Sequence, residues 1–156
     1  MSYPTFKLLS LDATHDRTAF NSDSEPLNRY LREQVTQDIR RRVAACFVAV
    51  TDEQRIAGYY TLASTSLMLG DLPAAIGKKL PRYPTVPAVR MGRLAVDQAF
   101  KGQGLGGALL ADALCRAVRA EIAAFAMTVD AKDESAVAFY RYHGFIALPD
   151  SPRTLF

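Results

Sequence analysis

A glycine-rich run at residues 102–107 carries the strongest chemical signal in this sequence. Gly102, Gly104 and Gly106 alternate with larger residues. Glycines at this spacing let successive backbone N–H groups point into one concave surface, because no Cβ atom blocks them. Apolar residues recur at helical spacing up to Val118, so we expect a helix over 104–119 whose first N–H groups face that surface. The run therefore predicts a binding site for phosphate or pyrophosphate.

Two other phosphate-binding loops share part of this pattern. Gly102, Gly104 and Gly107 also satisfy the G-x-G-x-x-G fingerprint of dinucleotide-binding domains, with Asp130 as the ribose-binding acid. Too little chain follows Gly107 to build two mononucleotide-binding halves, which disfavours that interpretation. A nucleoside triphosphate loop is disfavoured because the chain lacks G-x-x-x-x-G-K-[ST]. A glycine-rich helix entry that binds no ligand stays open as a third interpretation.

The strand before the glycine run has a break in its alternation. Val89 and Met91 are apolar at odd positions, whereas Leu94 and Val96 are apolar at even positions. A slip of one residue with a glycine at the junction, here Gly92, is typical of a β-bulge. We expect the bulge to free backbone N–H groups of this strand for a ligand.

The bulged strand, the glycine loop and the crossover helix together resemble the acetyl-CoA site of the GNAT acetyltransferase superfamily. The loop motif of that superfamily is (R/Q)-x-x-G-x-(G/A), and KGQGLG fits it with Lys101 at the first position. The segment AVAFYRYHGF resembles its last helix, where a tyrosine lies against the cofactor sulfur, and by position that residue is Tyr140. The resemblance implies acetyl-CoA as co-substrate, no metal, and a catalytic Tyr140. It implies these cofactor-binding residues: Leu94, Ala95, Val96, Lys101, Gly102, Gln103, Gly104, Leu105, Gly106, Gly107 and Phe139.

Acetyl transfer from a thioester to an amine needs a neutral amine and a proton for the departing thiolate. A phenol such as Tyr140, with pKa about 10, is close enough to a thiol at about 8.5 to supply that proton. Helix packing is the alternative role for this tyrosine. Arg90 and Arg93 stand where many such enzymes carry a carboxylate base, and Asp97 is the only acid nearby. A missing base favours an α-amine, with pKa about 7.7–8.0, over a lysine ε-amine as acceptor.

Two basic runs that contain no acidic residue favour a polyanionic substrate. One run ends the first predicted helix, and the other lies between residues 72 and 96. The planar guanidinium of arginine suits phosphate groups, although a solvated basic face is the alternative explanation. The residues predicted to bind RNA are Arg40, Arg41, Arg42, Lys78, Lys79, Arg90 and Arg93.

Residues 9–156 as a whole resemble the toxin acetyltransferases of bacterial toxin–antitoxin pairs, which acetylate the α-amine of aminoacyl-tRNA. The resemblance is carried by LNRYLREQVTQDIRRRVAACFVAV, IAGYYTLAS, LPRYPTVPAVRMGRLAVD, GQGLGGALLADAL and FYRYHGF. It implies a cytoplasmic enzyme with aminoacyl-tRNA as substrate, a small DNA-binding antitoxin as partner, and a homodimer. The alternatives are an ordinary acetyltransferase for a small amine or a protein N-terminus, and a non-enzymatic nucleic-acid-binding module.

The length and composition of the chain predict one globular domain over residues 1–156. It has 156 residues, of which 49% are hydrophobic and 22% charged, which suits an ordinary core. No basic leader with an apolar run begins the chain, and no apolar stretch approaches about 18 residues, so we expect neither a secretory signal nor a membrane span. Cys46 and Cys115 are expected to be buried, reduced thiols.

The pattern of apolar residues, together with the resemblance, predicts an α/β (α+β) GNAT fold. This fold has a mixed central sheet of about six to seven strands, about four helices, and a bulged strand at the acetyl-CoA cleft. The predicted strands are 5–9, 44–51, 56–64, 89–96, 125–129, 145–148 and 154–156. The predicted helices begin at Ser24, near Asp71, at Gly104 and at Asp133, and a long loop spans 65–87.

Overall fold

The computed structural model describes residues 5–156, and the first four residues of the predicted 1–156 domain lie outside the described residues. The described part of the chain contains seven strands and five α-helices. Its strands are β1 Phe6–Ser10, β2 Ala45–Thr51, β3 Ile56–Met68, β4 Thr85–Val96, β5 Ala126–Asp130, β6 Ala147–Leu148 and β7 Ser151–Leu155. Its α-helices are α1 Glu25–Arg29, α2 Val35–Arg40, α3 Ala74–Gly77, α4 Leu105–Arg119 and α5 Glu134–Tyr142.

Three short turns complete the helical structure. A π-helical turn at Tyr30–Gln34 joins α1 to α2, and there the Val35 N–H donates to the Tyr30 carbonyl, five residues back. Single 3₁₀ turns occupy Leu69–Asp71 and Gln98–Phe100. Among the described residues, no helix is both long enough and apolar enough to cross a bilayer.

The strands form a seven-stranded mixed sheet in the order β1-β2-β3-β4-β5-β7-β6. β2 pairs antiparallel with both β1 and β3, and β7 pairs antiparallel with both β5 and β6. β4 and β5 are parallel, with Ala88 opposite Ala126. The chain passes between these two parallel strands through α4, as a strand–helix–strand crossover requires. The predicted mixed sheet and its parallel pair are therefore confirmed.

The contacts of the chain divide it into two compact units, and strands β3 and β4 contribute to both. The first unit contains the described residues up to Ala63 together with Gly92–Cys115. Its buried cluster includes Phe20, Tyr30, Leu31, Val35, Cys46, Val48 and Tyr59. The second unit contains Ser64–Met91 and Arg116–Phe156 and is centred on Leu67, Leu72, Val86, Ala88 and Leu148. The single domain stays a prediction.

The predicted loop over residues 65–87 is shorter than expected. β3 continues to Met68 and β4 already begins at Thr85. The sequence signal for the loop was proline, but proline removes only an N–H donor from a strand. The Pro87 carbonyl still accepts a hydrogen bond, from the Phe125 N–H at 2.8 Å. Only the middle of the segment, with α3 inside it, is a connection.

The two cysteines differ in burial. Cys46 is buried as predicted, whereas Cys115 is exposed, and the prediction of a second buried thiol is wrong. Cys115 lies beyond the part of α4 that is packed, whose buried residues are Leu105, Leu109, Leu110 and Ala113. Val118, which continues the same apolar spacing, is 84% exposed. Periodicity identifies the apolar face of a helix but not how far along the helix its packing partner extends.

The burial pattern of β4 changes phase along the strand. Val86 and Ala88 are buried at even positions, and Met91 and Ala95 are buried at odd positions. The change therefore lies between Ala88 and Met91, before Gly92, where the sequence places the slip. A bulge at Gly92 stays a prediction.

Candidate active site

The glycine loop forms a turn that leads directly into α4. Gly102 has a φ of +79° and Gly104 a φ of +77°. Residues with a Cβ rarely adopt these left-handed values. A Cβ added at either position would meet no heavy atom within 4 Å. The backbone conformation, rather than a lack of space, therefore requires glycine, and the surface of the loop is open.

The N-terminus of α4 adds donors at the end of this loop. A hydrogen bond of 3.1 Å from the Ala108 N–H to the Gly104 carbonyl closes the first turn of the helix. The N–H groups of residues 105–107 precede that bond, so they have no intrahelical acceptor. The positive end of the helix dipole lies at the same place. The loop and the helix start are thus arranged as an anion site.

Close packing at Gly58 fixes the position of α4 on the sheet. A Cβ at Gly58 would lie 2.8 Å from Leu109 Cδ1 and 3.0 Å from the Ala95 carbonyl oxygen. Only glycine lets the helix approach β3 and β4 so closely. Sequence reasoning missed this residue, although an isolated glycine inside an apolar strand is a signal for close backbone approach.

Asp97 anchors the segment between β4 and the glycine loop. Its buried carboxylate accepts hydrogen bonds from the Asn21 N–H at 2.9 Å, the Ala99 N–H at 2.8 Å and the Arg55 guanidinium at 3.1 Å. Its own N–H donates to the Ala57 carbonyl at 2.8 Å. A buried carboxylate that is bound by three donors serves structure. The only acid that the sequence offered near the site is therefore an anchor and not a free base.

Two loop side chains bear on whether acetyl-CoA fits here. Lys101 Nζ lies 2.5 Å from Asp23 Oδ2, and because both side chains are well exposed this ion pair is weak enough to be exchanged for a phosphate. Gln103 Oε1 is buried and has no hydrogen-bond partner within residues 5–156. An orphaned buried acceptor fits a site that is completed by a ligand carrying donors. The amide and hydroxyl groups of a pantetheine arm are such donors, so the residues present fit acetyl-CoA.

Tyr140 lies in the second unit, on the buried side of α5. It is 8% exposed, and its ring packs against Phe139 and Phe145 at centroid distances of 5.2 and 5.5 Å. Its hydroxyl has no hydrogen-bond partner in the described part of the chain. Burial raises the pKa of Tyr140 to about 12, so the phenol keeps its proton at neutral pH. The proton is therefore present for donation, but a pKa of about 12 makes this phenol a weaker acid than an ordinary one, and the packing also agrees with a structural role.

Both predicted ends of α5 are confirmed. The Asp133 side chain accepts a hydrogen bond from the Ala136 N–H at 2.8 Å and caps the first turn. Gly144 has a φ of +93° and ends the helix in the left-handed conformation. These two local signals place Tyr140 on its helix.

The seven cationic side chains predicted to bind RNA differ in their exposure and in their contacts. Arg90 is exposed and lies 4.0 Å from Asp130 in a loose ion pair. Arg93 is half-buried, and its guanidinium lies 3.5 Å from the centroid of the Tyr30 ring. The remaining five are exposed: Arg40, Arg41, Arg42, Lys78 and Lys79. No group of three His, Cys, Asp or Glu side chains in the described residues is arranged to hold a metal ion.

The predicted site residues divide between the two units. The glycine loop, residues 94–96, the arginines at 40–42 and Arg93 belong to the first unit. Tyr140, Phe139, Arg90 and the lysines at 78–79 belong to the second. Within the first unit the structure adds residues that sequence reasoning missed: Asn21, Asp23, Tyr30, Asp38 and Arg55. No local pattern marks Asn21, Asp23 and Arg55, because their partners are distant in sequence. The hydrogen bond between Tyr30 and Asp38 spans eight residues across the π-helical turn.

Comparison with known proteins identifies the family. The model of the acetyltransferase (GNAT) domain matches residues 14–154. The chain belongs to the GNAT acetyltransferases. This GNAT chain is 37% identical over 139 residues to a tRNA-acetylating toxin of Mycobacterium tuberculosis, covering 88% of this chain and 82% of that relative. The predicted family and enzyme class are therefore confirmed.

Solved structures of other toxins share the GNAT fold along nearly the whole chain. AtaT complexed with acetyl-methionyl-tRNAfMet is 30% identical, with a TM-score of 0.88 over 97% of this chain and 94% of that one. A mutant of the AtaT toxin bound to the C-terminus of the antitoxin AtaR and to acetyl-CoA is 27% identical. Its TM-score is 0.79, over 97% of this chain and 92% of that one. The predicted fold is confirmed by these likenesses.

Proposed function

We propose that this chain is an acetyl-CoA-dependent N-acetyltransferase toxin that acetylates the α-amine of aminoacyl-tRNA and so blocks translation. The observation that carries the proposal is the similarity to a tRNA-acetylating toxin over 88% of the chain. The AtaT complexes with acetyl-methionyl-tRNAfMet and with acetyl-CoA support the same substrates. The exposed arginine and lysine side chains of the described residues agree with a polyanionic RNA substrate.

In this function the first unit supplies all of the cofactor-binding residues except Phe139. The glycine loop and the start of α4 bind the pyrophosphate through backbone N–H groups, and Lys101 exchanges Asp23 for a phosphate oxygen. The backbone of residues 94–96 holds the pantetheine arm. When bound, acetyl-CoA supplies the activated acetyl group as a thioester. The binding residues are Leu94, Ala95, Val96, Lys101, Gly102, Gln103, Gly104, Leu105, Gly106, Gly107 and Phe139.

Tyr140 acts as the general acid. As the amine nitrogen bonds to the acetyl carbon, the carbon–sulfur bond breaks, and the phenol donates its proton to the departing sulfur. The nitrogen releases one proton to water as the amide forms, and the Tyr140 phenolate regains a proton from water. The raised pKa of Tyr140 keeps that proton in place until it is needed. No dedicated base is required, because an α-amine with pKa about 7.7–8.0 is partly neutral at physiological pH. The commitment of Asp97 to structural hydrogen bonds agrees with an acceptor of this kind.

The basic side chains bind the phosphates of the RNA. Exposed guanidinium and ammonium groups supply sequence-independent affinity that falls with salt. The proposed set is Arg40, Arg41, Arg42, Lys78, Lys79, Arg90 and Arg93. The complex of AtaT with the antitoxin AtaR supports an antitoxin as partner. We propose that this antitoxin is a small DNA-binding protein and that the enzyme is a cytoplasmic homodimer.

An acetylation assay with purified protein tests this function. The protein is incubated with radiolabelled acetyl-CoA and with charged tRNAs, uncharged tRNA, free amino acids or a peptide with a free N-terminus. We expect label on charged tRNA alone, and less label by a factor of roughly 10² or more with Tyr140→Phe over the same time. Label on the peptide or on free amino acids, with none on charged tRNA, would favour an ordinary acetyltransferase.

Expression in cells separates the same alternatives. Induced expression of the wild-type chain should stop growth and protein synthesis, whereas Tyr140→Phe at equal abundance should not. Normal growth with abundant, active enzyme would contradict a toxin.

A further inference from the structure

The Arg93 guanidinium is held flat on the ring of Tyr30. Its central carbon lies 3.5 Å from the ring centroid, as in a cation–π contact. Within residues 5–156, no hydrogen bond or ion pair engages its N–H groups. The side chain is half-buried, so it does not have the freedom of a surface arginine. The structure thus holds a planar cation whose donors are oriented but unused.

Tyr30 is itself held by a hydrogen bond and a ring contact. It is 6% exposed, its hydroxyl donates to Asp38 Oδ2 at 2.7 Å, and its ring stacks on Tyr59 at a centroid distance of 6.5 Å. The Gln34 amide also donates to Asp38, at 3.2 Å. The hydrogen bond from Tyr30 holds the pKa of Asp38 below its usual range, so that carboxylate stays charged and keeps accepting.

The π-helical turn accounts for the contact between Tyr30 and Asp38. Eight residues of uninterrupted α-helix make about 2.2 turns and leave the first and last side chains about 80° apart. The wide turn at Tyr30–Gln34, closed by the Val35 N–H, takes up part of that offset. Single π-turns are frequent at functional sites. Here the irregular turn places the hydroxyl against the carboxylate that holds the ring.

We propose that Tyr30 is a positioning residue that holds Arg93 flat, so that the free edge of the guanidinium binds one phosphate near the 3′ end of the acceptor strand. This inference rests on the proposed function. A planar fork of donors matches phosphate oxygens in a bidentate way, and an oriented fork loses less entropy on binding. Arg93 directly precedes residues 94–96, the proposed holder of the pantetheine arm, so the phosphate it binds is close to the reacting amine.

The test compares KM and kcat for aminoacyl-tRNA between the wild type and variants of Tyr30 and Arg93. Tyr30→Leu removes the ring, and we expect KM to rise roughly 3- to 30-fold, the range of a cation–π contact, with kcat and acetyl-CoA affinity little changed. Tyr30→Phe keeps the ring and should keep KM within about twofold of wild type. Arg93→Lys keeps the charge without the fork and should raise KM about as much as Tyr30→Leu. It also keeps the test valid if Tyr30→Leu folds poorly.

Tyr59→Phe is the matched control for a lost buried hydroxyl. The Tyr59 hydroxyl donates to the Leu27 carbonyl at 2.7 Å. Tyr59→Phe and Tyr30→Phe should lower the melting temperature similarly and leave KM unchanged. Adding Tyr30→Leu to Arg93→Ala should not raise KM further, because Tyr30 acts only through Arg93. Additive increases in KM would show that Tyr30 acts elsewhere and would overturn the proposal.

A shortened substrate locates the phosphate. The rise in KM for Tyr30→Leu should persist with an aminoacylated minihelix that keeps only the acceptor stem and its 3′ end. If the rise disappears with the minihelix, Arg93 binds another part of the RNA and the proposal is wrong. If the wild-type enzyme acetylates charged tRNA but KM is unchanged in Tyr30→Leu and Arg93→Lys, this inference is wrong and the proposed function stands. Absence of wild-type acetylation of any charged tRNA overturns the proposed function as well.

Discussion

The Arg55 guanidinium lies 3.1 Å from the Asp97 carboxylate and joins the turn between β2 and β3 to the segment that enters the glycine loop. The same guanidinium lies 5.2 Å from the centroid of the Phe100 ring, one residue before Lys101. Arg55 is partly exposed, whereas the Asp97 side chain is 2% exposed. Asp97, the buried partner, therefore contributes most to holding this segment, and the conformation of the glycine loop depends on it.

Asp97→Ala should destabilise the first unit and weaken cofactor binding. Two backbone N–H groups and Arg55 lose their acceptor, so we expect the free energy of unfolding to fall by about 2–3 kcal/mol in urea denaturation. Affinity for acetyl-CoA should fall about tenfold by calorimetry, because the loop is no longer fixed. Asp52→Ala, in the exposed turn beside Arg55, serves as control. A folded Asp97→Ala protein with wild-type affinity would show that the loop holds its shape without this anchor.

Gly104→Ala should abolish acetyl-CoA binding while the chain stays folded. The φ of +77° at Gly104 costs a residue with a Cβ about 1–2 kcal/mol, and relaxation to negative φ turns N–H groups away from the anion site. Gly70→Ala is the matched control, since its added Cβ also meets nothing within 4 Å and its φ is not positive. Calorimetry measures the acetyl-CoA affinity of both variants, and only Gly104→Ala should lose it. Equal affinity would place the phosphates away from this loop.

Tyr140→Phe should reduce turnover by roughly 10²–10⁴, the usual loss of general acid catalysis, with acetyl-CoA affinity unchanged. The phenol makes no hydrogen bond in the described residues, so the melting temperature should hardly move. Because the pKa of Tyr140 is raised to about 12, wild-type turnover should not fall through loss of this proton below about pH 11. Tyr142→Phe, at a position 85% exposed, controls for the aromatic change. Turnover near the wild-type value in Tyr140→Phe would show that Tyr140 has only a packing role.

Local chemistry explains which features could be predicted from sequence. Gly102 and Gly104 of the alternating glycines adopt a positive φ, and Asp133 and Gly144 cap α5 through atoms a few residues away. The anchors of the site could not be predicted in this way, because Asp97 accepts a hydrogen bond from the Asn21 N–H, 76 positions away in sequence. The contact between Arg93 and Tyr30 joins two residues that are distant in sequence, and the hydrogen bond from Tyr30 to Asp38 spans a π-turn that no spacing rule indicates. Long-range pairs of this kind follow from the assembled sheet and not from a local pattern.

Alkaline pH should destabilise the fold, beginning with Cys46. Burial raises the pKa of this thiol from 9.0 to about 12, so above pH 9 the unfolded chain loses a proton that the folded chain keeps. The stabilisation is complete below pH 9 and is lost as pH rises toward 12. Between pH 9 and 10, Cys46 should lower the free energy of unfolding by about 1 kcal/mol. Above pH 10, Tyr140 adds to the fall, because its pKa is also raised to about 12.

Urea denaturation at pH 8, 9 and 10 measures the contribution of Cys46. Cys46→Ala should lower stability at all three values and flatten the fall between pH 9 and 10. Cys115→Ala is the matched control, because that thiol is exposed. An undiminished fall in Cys46→Ala would assign the alkaline loss to other groups.

The last prediction concerns the salt dependence of RNA binding. Replacing Arg90 and Arg93 together with alanine should weaken tRNA binding and reduce the slope of log affinity against log salt by up to about 2. Arg93 should contribute more than Arg90, because Asp130 already faces Arg90 at 4.0 Å. By contrast, Asp38, the carboxylate whose charge interacts with Arg93, forms no ion pair with it and accepts hydrogen bonds from Tyr30 and Gln34 instead. The two single variants test this order, and acetyl-CoA binding should survive in both.

Lys78→Ala/Lys79→Ala removes the same amount of charge from exposed positions and should change the slope less. Ammonium groups on flexible stems keep more of their water and counterions than an oriented guanidinium does. If all the variants keep the wild-type slope and still acetylate tRNA, these four cations do not touch the phosphates. The exposed arginines at 40–42, which end the first helical segment, then become the remaining source of the electrostatic attraction, and their replacement should remove it.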